Sequence, residues 1–418
     1  MPDRAEIRLA EYGTVRLGAE QLTARDVERL RSLQASGRLT LDEAPSGWRL
    51  KADATVGVLV LDRVRLVIVP KFAVRGDRLM SWLSYALGAP APLPATARRW
   101  ATGPEGYADL VAAALLERCE QLVREGLRRD YVRRDSVEPV LRGRLDFNAQ
   151  VSRRYGQLDQ LYVRTFDRET DVWDNRVLGT ALRAAQRLAT QPDLVRDLAS
   201  VAGAFPRAAT SEAALRALDR TRYTPLNTRY RAAHTWARLV LRGGGVTDLL
   251  ADRGTTADGL LLPMPALWEA VVRRLAVDAT APLGGHAVSG GGATGITVRG
   301  DLGNASAFRP DVLLGLPGRE SAPRALLPID AKYKRYDRHG VGAADVHQLL
   351  TYGAGYASGA DPRAVIVHPS PGGMAHRVLR IDGPRGTLGS VHVIGVDTEV
   401  TPQEAAARMG KLPAWSAR

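Results

Sequence analysis

The chain has 418 residues, with 58 lysines and arginines against 45 aspartates and glutamates, and a formal net charge of +13. Its hydrophobic content of 45% is that of a folded protein, and its length allows two or three domains. No apolar run reaches the ~20 residues of a membrane helix, and the N-terminus lacks a signal peptide's apolar segment. Because Cys119 is the single cysteine, an internal disulfide is excluded and we expect a cytoplasmic protein without membrane contact.

Residues 1–95 predict an N-terminal β-rich module. The helix in this module begins with a capping box at Thr23 and Asp26 and places Val27, Leu30 and Leu33 on one face. Alternation of apolar and polar residues indicates a hairpin that turns near residues 62–63. A proline-rich stretch at 88–94 marks a linker. The predicted strands run from Ala5 to Ala10, Trp48 to Ala52, Val56 to Leu61 and Val64 to Val69.

Residues 96–255 predict a basic, mostly helical middle region. Helical periodicity is found from Val172 to Thr190, Ser211 to Asp219 and Leu226 to Arg242. Aromatic residues alternate with a group of arginines here, at Tyr131, Phe147 and Tyr155. Such a group would neutralise DNA phosphates or meet an acidic partner protein, and the sequence favours neither. The arginines are Arg124, Arg128, Arg129, Arg133, Arg134, Arg142, Arg144, Arg153 and Arg154.

Residues 256–418 carry a PD…DxK pattern formed by Asp311, Asp330 and Lys332, in a chain with only five lysines. Phosphodiester hydrolysis needs a hard cation such as Mg²⁺, which prefers carboxylate ligands. Along a strand, Asp330 and Lys332 point to one face and Ala331 points into the core. The pattern alone is loose, and an ordinary strand with scattered charges would also produce it.

The neighbouring elements favour the nuclease interpretation. Apolar residues at helical spacing run from Met264 to Leu275, and Gln348 and Tyr352 share one face of a second helix. The predicted order resembles the αβββαβ core of PD-(D/E)xK nucleases, within an α/β multidomain protein. Its predicted strands are 295–299, 308–314, 325–330 and 364–368.

Four further segments resemble the McrC family, the nuclease subunits of McrBC modification-dependent restriction systems. Leu141 to Phe147 is similar to the LRGRxDF segment of that family, and Arg164 to Leu178 is similar to its NRxL segment. Val67 to Lys71 resembles its PK strand end, and Met264 to Glu269 its helix before the nuclease strands. The resemblance covers about residues 55–370, and the 314–324 loop is longer than a tight hairpin needs.

The resemblance implies an endodeoxyribonuclease that cleaves modified double-stranded DNA with Mg²⁺ or Mn²⁺. Asp311 and Asp330 would bind the metal, with Glu269 as a further candidate ligand. Lys332 would assist the attacking water, while Gln348 and Tyr352 would position the phosphate or support the lysine.

The resemblance also implies a McrB-like AAA+ GTPase hexamer as partner, whose GTP hydrolysis this chain would stimulate. By the same resemblance, the β-rich module of residues 1–95 would contact DNA or this partner. The glycine-rich stretch 284–300 lacks the Gly-Lys-Ser/Thr ending of a P-loop, so GTP is expected on the partner. Two alternatives stay open from the sequence: a non-catalytic adaptor of an AAA+ partner, and a stand-alone repair-type nuclease.

Overall fold

The computed structural model describes residues 5–71, 76–93, 96, 107–243, 259–288, 295–298, 306–317, 325–336, 339–356 and 362–415. Two compact units are present: the first combines residues 1–110 with 244–418, and the second spans residues 111–243. The division into 1–95, 96–255 and 256–418 stays a prediction. Within the described ranges, no helix is both long and apolar enough to cross a membrane.

In the first unit, a four-stranded sheet joins distant parts of the sequence. Its strand order is Ala5–Ala10, Val64–Val69, Thr55–Val60 and Gly259–Pro263, with the first pair parallel and the others antiparallel. Gly57 permits the last pairing, because a Cβ at this residue would lie 1.9 Å from the backbone oxygen of Leu260. A separate three-stranded antiparallel sheet contains Thr14–Gly18, Gly47–Ala52 and Leu39–Ala44.

The helix Ala24–Ala35 packs its buried Leu30 and Leu33 into the core of these sheets. The predicted capping box is confirmed, since Thr23 Oγ1 accepts from the Asp26 amide and Asp26 Oδ2 accepts from the Thr23 amide. Among the described residues of this unit, the other helices are Gly76–Leu87, Met264–Thr280, Ala343–Tyr356 and Pro402–Gly410, with 3₁₀ turns at Ala19–Gln21, Ala281–Leu283 and Pro413–Trp415.

A six-stranded mixed sheet forms the C-terminal part of the first unit. Its three central strands are parallel neighbours, so their carboxyl ends meet at one edge. The Trp268 indole donates to the backbone oxygen of Val367 at 3.0 Å, which fixes the helix Met264–Thr280 against this sheet. The strand order is His286–Ala287, Val312–Leu316, Ala325–Ala331, Arg363–Pro369, Gly386–Val396 and Ala375–Gly383.

One strand prediction is wrong in this part of the chain, and a second is confirmed. The predicted strand 308–314 is two strands, Ser306–Phe308 and Val312–Leu316, separated where Pro310 has no amide to donate. The predicted strand 295–299 is Ile296–Val298, which pairs with Ser306–Phe308 and not with the six-stranded sheet. The mixed α/β class is confirmed, and the αβββαβ core assignment stays a prediction.

The second unit contains helices and a three-stranded antiparallel sheet. Asp130–Glu138 and Leu161–Glu169 pair along their full length, and Arg144–Leu145 adds a short third strand. The turn before the short strand requires glycine, because Gly143 has φ +83° and its Cβ would lie 2.4 Å from the Arg164 backbone oxygen. The helices are Tyr107–Arg124, Phe147–Arg154, Trp173–Leu188, Pro192–Ala202, Ser211–Asp219 and Arg231–Leu241, with a 3₁₀ turn at Thr228–Tyr230.

A buried polar network holds the start of the Trp173–Leu188 helix. The Asn175 amide donates to the backbone oxygens of Arg128 at 2.9 Å and Thr170 at 2.6 Å. The Tyr230 hydroxyl donates to Asn175 Oδ1 at 2.8 Å, and both side chains have no exposed surface. The NRxL-like segment thus supplies a fully satisfied structural asparagine.

Candidate active site

Asp311 and Asp330 lie opposite each other at the edge where two strands of the six-stranded sheet meet. Asp311 immediately precedes Val312–Leu316, whose first residue pairs with Ile329, and Asp330 is the next residue of that neighbouring strand. The Ala331 amide donates to Asp311 Oδ2 at 2.6 Å and fixes this carboxylate across the two strands. Two of the sequence-predicted residues are therefore brought together by strand register.

The Asp330 carboxylate is buried and incompletely satisfied. Its side chain is 2% exposed. Lys332 Nζ forms an ion pair with Asp330 Oδ2 at 2.9 Å, and beyond this ion pair no described residue donates a hydrogen bond to that oxygen. Burial raises the pKa of Asp330 to about 6, against the effect of Lys332 and with a further contribution from Asp311. Burial also raises the pKa of Asp311.

Lys332 follows the last residue of its strand and is connected to the helix Ala343–Tyr356. Its ammonium donates to Gln348 Oε1 at 2.9 Å, and the Gln348 amide donates to the Tyr352 hydroxyl at 3.1 Å. The Tyr352 hydroxyl donates in turn to the Arg309 backbone oxygen at 2.7 Å. Because Arg309 lies two residues before Asp311, these hydrogen bonds connect Lys332 to the segment that carries Asp311.

The charge of Lys332 is favoured by its surroundings. Burial acts to lower the pKa of Lys332, but its contact with Asp330 and the nearby Asp345 and Asp311 raise it overall. The strand ends at Ala331, which is only half-buried, so Ala331 does not point fully into the core as expected. Lys332 is nevertheless directed to the same site as Asp330.

Glu269 approaches Asp311 from the helix Met264–Thr280 but is already paired. Its Oε1 accepts from Arg273 Nη2 at 2.7 Å, and the same nitrogen donates to the Asp311 backbone oxygen at 3.2 Å. The negative charge of Glu269 contributes to the raised pKa of Asp311, after burial and against the Ala331 hydrogen bond. Arg273 therefore connects Glu269 to the strand start, which the sequence pattern did not indicate.

Sequence reasoning missed Asp345, which lies three residues before Gln348 on the same helix. This carboxylate contacts Lys334 Nζ at 3.0 Å and Lys332 Nζ at 3.9 Å, and it accepts from the Tyr336 hydroxyl. Burial acts to raise the pKa of Asp345, but the Tyr336 and Lys334 hydrogen bonds lower it overall. The i, i+3 spacing to Gln348 was the available signal.

The residues of this site fit a hard divalent cation. Among the described residues, no group of three or more His, Cys, Asp or Glu side chains is arranged to hold a metal ion. Mg²⁺, however, is often bound by one or two carboxylates, with water and substrate phosphate as its other ligands. The adjacent carboxylates of Asp311 and Asp330 match this donor set, and a cation would further compensate the burial of the Asp330 oxygen, which contacts the Lys332 ammonium but has no other described hydrogen-bond donor.

Five of the nine arginines in the predicted basic cluster of the second unit form ion pairs. Arg124, Arg128, Arg133, Arg134 and Arg142 contact Glu120, Asp174, Asp135, Glu169 and Asp167, respectively. The aromatic side chains among them are strongly exposed: Tyr131 by 67%, Phe147 by 70%, Tyr155 by 85% and Phe166 by 60%. We call these four residues the aromatic surface.

Comparisons with known proteins agree with the resemblance found in the sequence. A McrC-containing structure described as a half-complex of Thermococcus gammatolerans McrB AAA+ hexamers with bound McrC aligns with TM-score 0.67 and 18% identity. It covers 97% of this chain and 99% of the other. A second structure, the Thermococcus gammatolerans McrBC complex, aligns with TM-score 0.47 and 20% identity over 66% of this chain and 88% of the other.

Among curated proteins, none matches the chain. The sequence model of the family described as the McrBC 5-methylcytosine restriction system component matches residues 50–369, which is most of the chain. The chain belongs to the McrBC 5-methylcytosine restriction system component family.

Proposed function

We propose that this chain is the Mg²⁺-dependent endodeoxyribonuclease subunit of a McrBC-type restriction system. The observation that carries the proposal is the pair of adjacent carboxylates, half-buried Asp311 and buried Asp330, with the Lys332 ammonium 2.9 Å from Asp330. A buried charge pair of this kind is costly for a purely structural strand end, and such arrangements are frequent at functional sites. Membership in a family of 5-methylcytosine restriction system components supports DNA as the substrate class.

Asp311 and Asp330 would hold Mg²⁺ or Mn²⁺, which when bound polarises a phosphate and promotes formation of hydroxide from water. The Ala331 amide keeps Asp311 in place for this role. Lys332 would donate hydrogen bonds to the attacking water or the scissile phosphate, while Gln348 holds its position. Glu269, which Arg273 retains beside the site, would act as a further ligand or through a bound water.

The test combines the purified chain with a McrB-like AAA+ GTPase from the same genome, GTP, Mg²⁺ and a 5-methylcytosine-containing plasmid. Asp330→Asn is compared with Asp382→Asn, which makes the same chemical change at an exposed carboxylate. Cleavage that requires the partner and GTP, and is lost only in Asp330→Asn, is the expected result.

Other results would point to the alternatives. Cleavage by this chain without partner or GTP would indicate a stand-alone nuclease. Absence of cleavage, with the GTPase stimulated equally by wild type and Asp330→Asn, would indicate a non-catalytic adaptor. Cleavage by Asp330→Asn at the wild-type rate would refute the proposed site.

We also propose that the aromatic surface of the second unit contacts the AAA+ partner. The similar Thermococcus gammatolerans structure contains McrC bound to McrB hexamers. Exposed aromatic residues are costly in water and are enriched at protein interfaces. Arg133, Arg134 and Arg142 already pair with carboxylates, which reduces the charge that this region offers to DNA phosphates.

This contact is tested by co-purification of the partner and by GTPase stimulation. Tyr131→Ala with Phe166→Ala should weaken both at least tenfold if the two side chains are interface anchors. Leu226→Ala, an equally exposed apolar residue of the same unit, is the control. Unchanged stimulation in the double variant would refute the assignment.

A further inference from the structure

A cluster at one end of the N-terminal sheet lies against the segment that carries the candidate catalytic lysine. The strands Ala5–Ala10 and Val64–Val69 are parallel neighbours, so both leave the sheet at the same edge. Glu11 follows the first strand directly, and Lys71 lies two residues after the second. Both contact Tyr333, which lies 322 positions after Glu11 in the sequence. We call Glu11, Lys71 and Tyr333 the strand-end cluster.

The Glu11 carboxylate connects the members of this cluster. Its Oε2 accepts from the Lys71 backbone amide at 3.2 Å and from the Tyr333 hydroxyl at 3.4 Å. Lys71 Nζ lies 4.7 Å from the ring centroid of Tyr333 and 4.7 Å from that of Tyr12, which are cation–π distances. Tyr333 is therefore held both through its hydroxyl and through the face of its ring.

Glu11 is a costly residue for the fold. It is 4% exposed, and no described residue donates a hydrogen bond to its buried Oε1. Burial raises the pKa of Glu11, although the Lys71 amide, the Lys71 ammonium and the Tyr333 hydroxyl act to lower it. A buried carboxylate with one unsatisfied oxygen costs free energy that a neutral side chain of the same shape avoids. The cluster therefore keeps a charge that the stability of the sheet alone does not require.

Tyr333 connects the cluster to the candidate site through a single peptide bond. The Lys332 amide donates to the Val367 backbone oxygen at 3.0 Å, and this oxygen also accepts from the Trp268 indole at 3.0 Å. The backbone of Lys332 is thus fixed to the six-stranded sheet, and the next side chain is fixed to the strand-end cluster. From this backbone the Lys332 ammonium reaches Asp330.

We propose that Glu11 is a positioning residue for Lys332 in the nuclease reaction and acts through Tyr333. The inference rests on the proposed nuclease function and extends its site to the N-terminal sheet. A displacement of ~1 Å in a catalytic group costs about 10²-fold in rate, so a loosened Lys332 segment should cost about tenfold.

Three variants separate positioning from a purely structural role. Glu11→Ala removes the acceptor for the Tyr333 hydroxyl, Glu11→Gln keeps an acceptor oxygen without the charge, and Tyr333→Phe removes only the hydroxyl. Glu6→Ala is the control, because it truncates an exposed glutamate on the neighbouring strand Ala5–Ala10. Thermal unfolding verifies that each variant is folded, and Glu11→Gln should be at least as stable as wild type.

The first readout is cleavage of the 5-methylcytosine-containing plasmid with the McrB-like partner, GTP and Mg²⁺. Glu11→Ala and Tyr333→Phe should each lower kcat about tenfold and leave KM for DNA and the stimulation of the GTPase unchanged. The double variant should be little worse than Glu11→Ala, because both changes break the same contact. Glu11→Gln should regain most of the kcat that Glu11→Ala loses.

The second readout does not depend on cleavage. Because the chain has only five lysines, mass spectrometry resolves the rate at which an amine reagent labels each of them. Lys332 is half-buried and contacts Asp330 and Gln348, so its labelling rate should rise several-fold in Glu11→Ala and in Tyr333→Phe when the segment is loosened. The exposed Lys411 should keep its rate in every variant.

Two outcomes would overturn the proposal. Wild-type kcat and wild-type Lys332 labelling in Tyr333→Phe, which keeps the ring and its packing, would show that the cluster has only a structural role, even if Glu11→Ala does not fold. Equal losses of kcat in Glu6→Ala and Glu11→Ala would show a general effect of the N-terminal sheet. Failure of the proposed nuclease function is separate, since it would appear as cleavage that is insensitive to Asp330→Asn.

Discussion

Replacement of Asn175 should destabilise the second unit more than any change in its surface charges. This side chain makes three hydrogen bonds at a site with no exposed surface, to two backbone oxygens and to the Tyr230 hydroxyl. In Asn175→Ala all three are lost, and water cannot replace them without reaching the interior.

The expected magnitude follows from the groups left without partners. Each buried polar group that loses its partner costs about 1–3 kcal/mol, and neighbouring losses are not fully additive. We expect Asn175→Ala to lower the free energy of unfolding by about 3–5 kcal/mol. Asn175→Asp should cost at least as much at neutral pH, because a carboxylate oxygen would then face the two carbonyls of Arg128 and Thr170.

Urea unfolding of the full chain, followed by circular dichroism and by tryptophan fluorescence, measures this loss. Asn148→Ala is the control, since it makes the same truncation at an exposed residue of the same unit. A loss below about 1 kcal/mol in Asn175→Ala, or an Asn175→Asp variant as stable as wild type, would refute the reasoning from buried hydrogen bonds.

Three further predictions concern the candidate site and the pH dependence of stability in the second unit. Asp330→Asn should abolish cleavage yet stabilise the metal-free protein by about 1–3 kcal/mol at neutral pH, because it removes a buried carboxylate whose pKa is raised to about 6. Mg²⁺ should raise the thermal midpoint of the wild-type protein only. Equal stabilisation of wild type and Asp330→Asn by Mg²⁺ would contradict this prediction. Tyr352→Phe should lower kcat about tenfold. Adding Gln348→Leu should lower kcat little further, because both residues act through one series of hydrogen bonds to Lys332. Fully additive losses of kcat in the double variant would argue against this series of hydrogen bonds. Burial lowers the pKa of His234 to about 4, so the free energy of unfolding should fall by up to about 3 kcal/mol as the pH drops from 6.5 towards 4. The difference in unfolding free energy between wild type and His234→Gln should therefore change over this pH range. A difference that does not depend on pH would exclude the effect.

Local signals predicted several elements correctly. The strands Ala5–Ala10 and Val64–Val69 and the helix Ser211–Asp219 have the predicted bounds, because alternation, helical periodicity and caps act within a few residues. The spacing of Asp330 and Lys332, and of Gln348 and Tyr352, likewise predicted which side chains meet at the candidate site.

These local signals did not predict contacts between residues that are far apart in the sequence. Nothing in the local pattern of Gly259–Pro263 indicates that it pairs with Thr55–Val60. The pairing of Arg273 with Glu269 and the role of Asp345 as a shared acceptor for Lys334 and Tyr336 depend on tertiary packing. The sequence also did not show which arginines of the middle region form ion pairs with carboxylates.

The pairing of Gly259–Pro263 with Thr55–Val60 has a consequence for synthesis on the ribosome. Translation proceeds at ~5–20 residues per second, so about 10–40 s pass between synthesis of the strand Thr55–Val60 and synthesis of its neighbour. All six of its residues are buried in the finished protein, so an apolar edge stays open to other chains during that interval. The second unit makes its contacts from one continuous segment, residues 111–243, and is therefore able to fold before the first unit is complete.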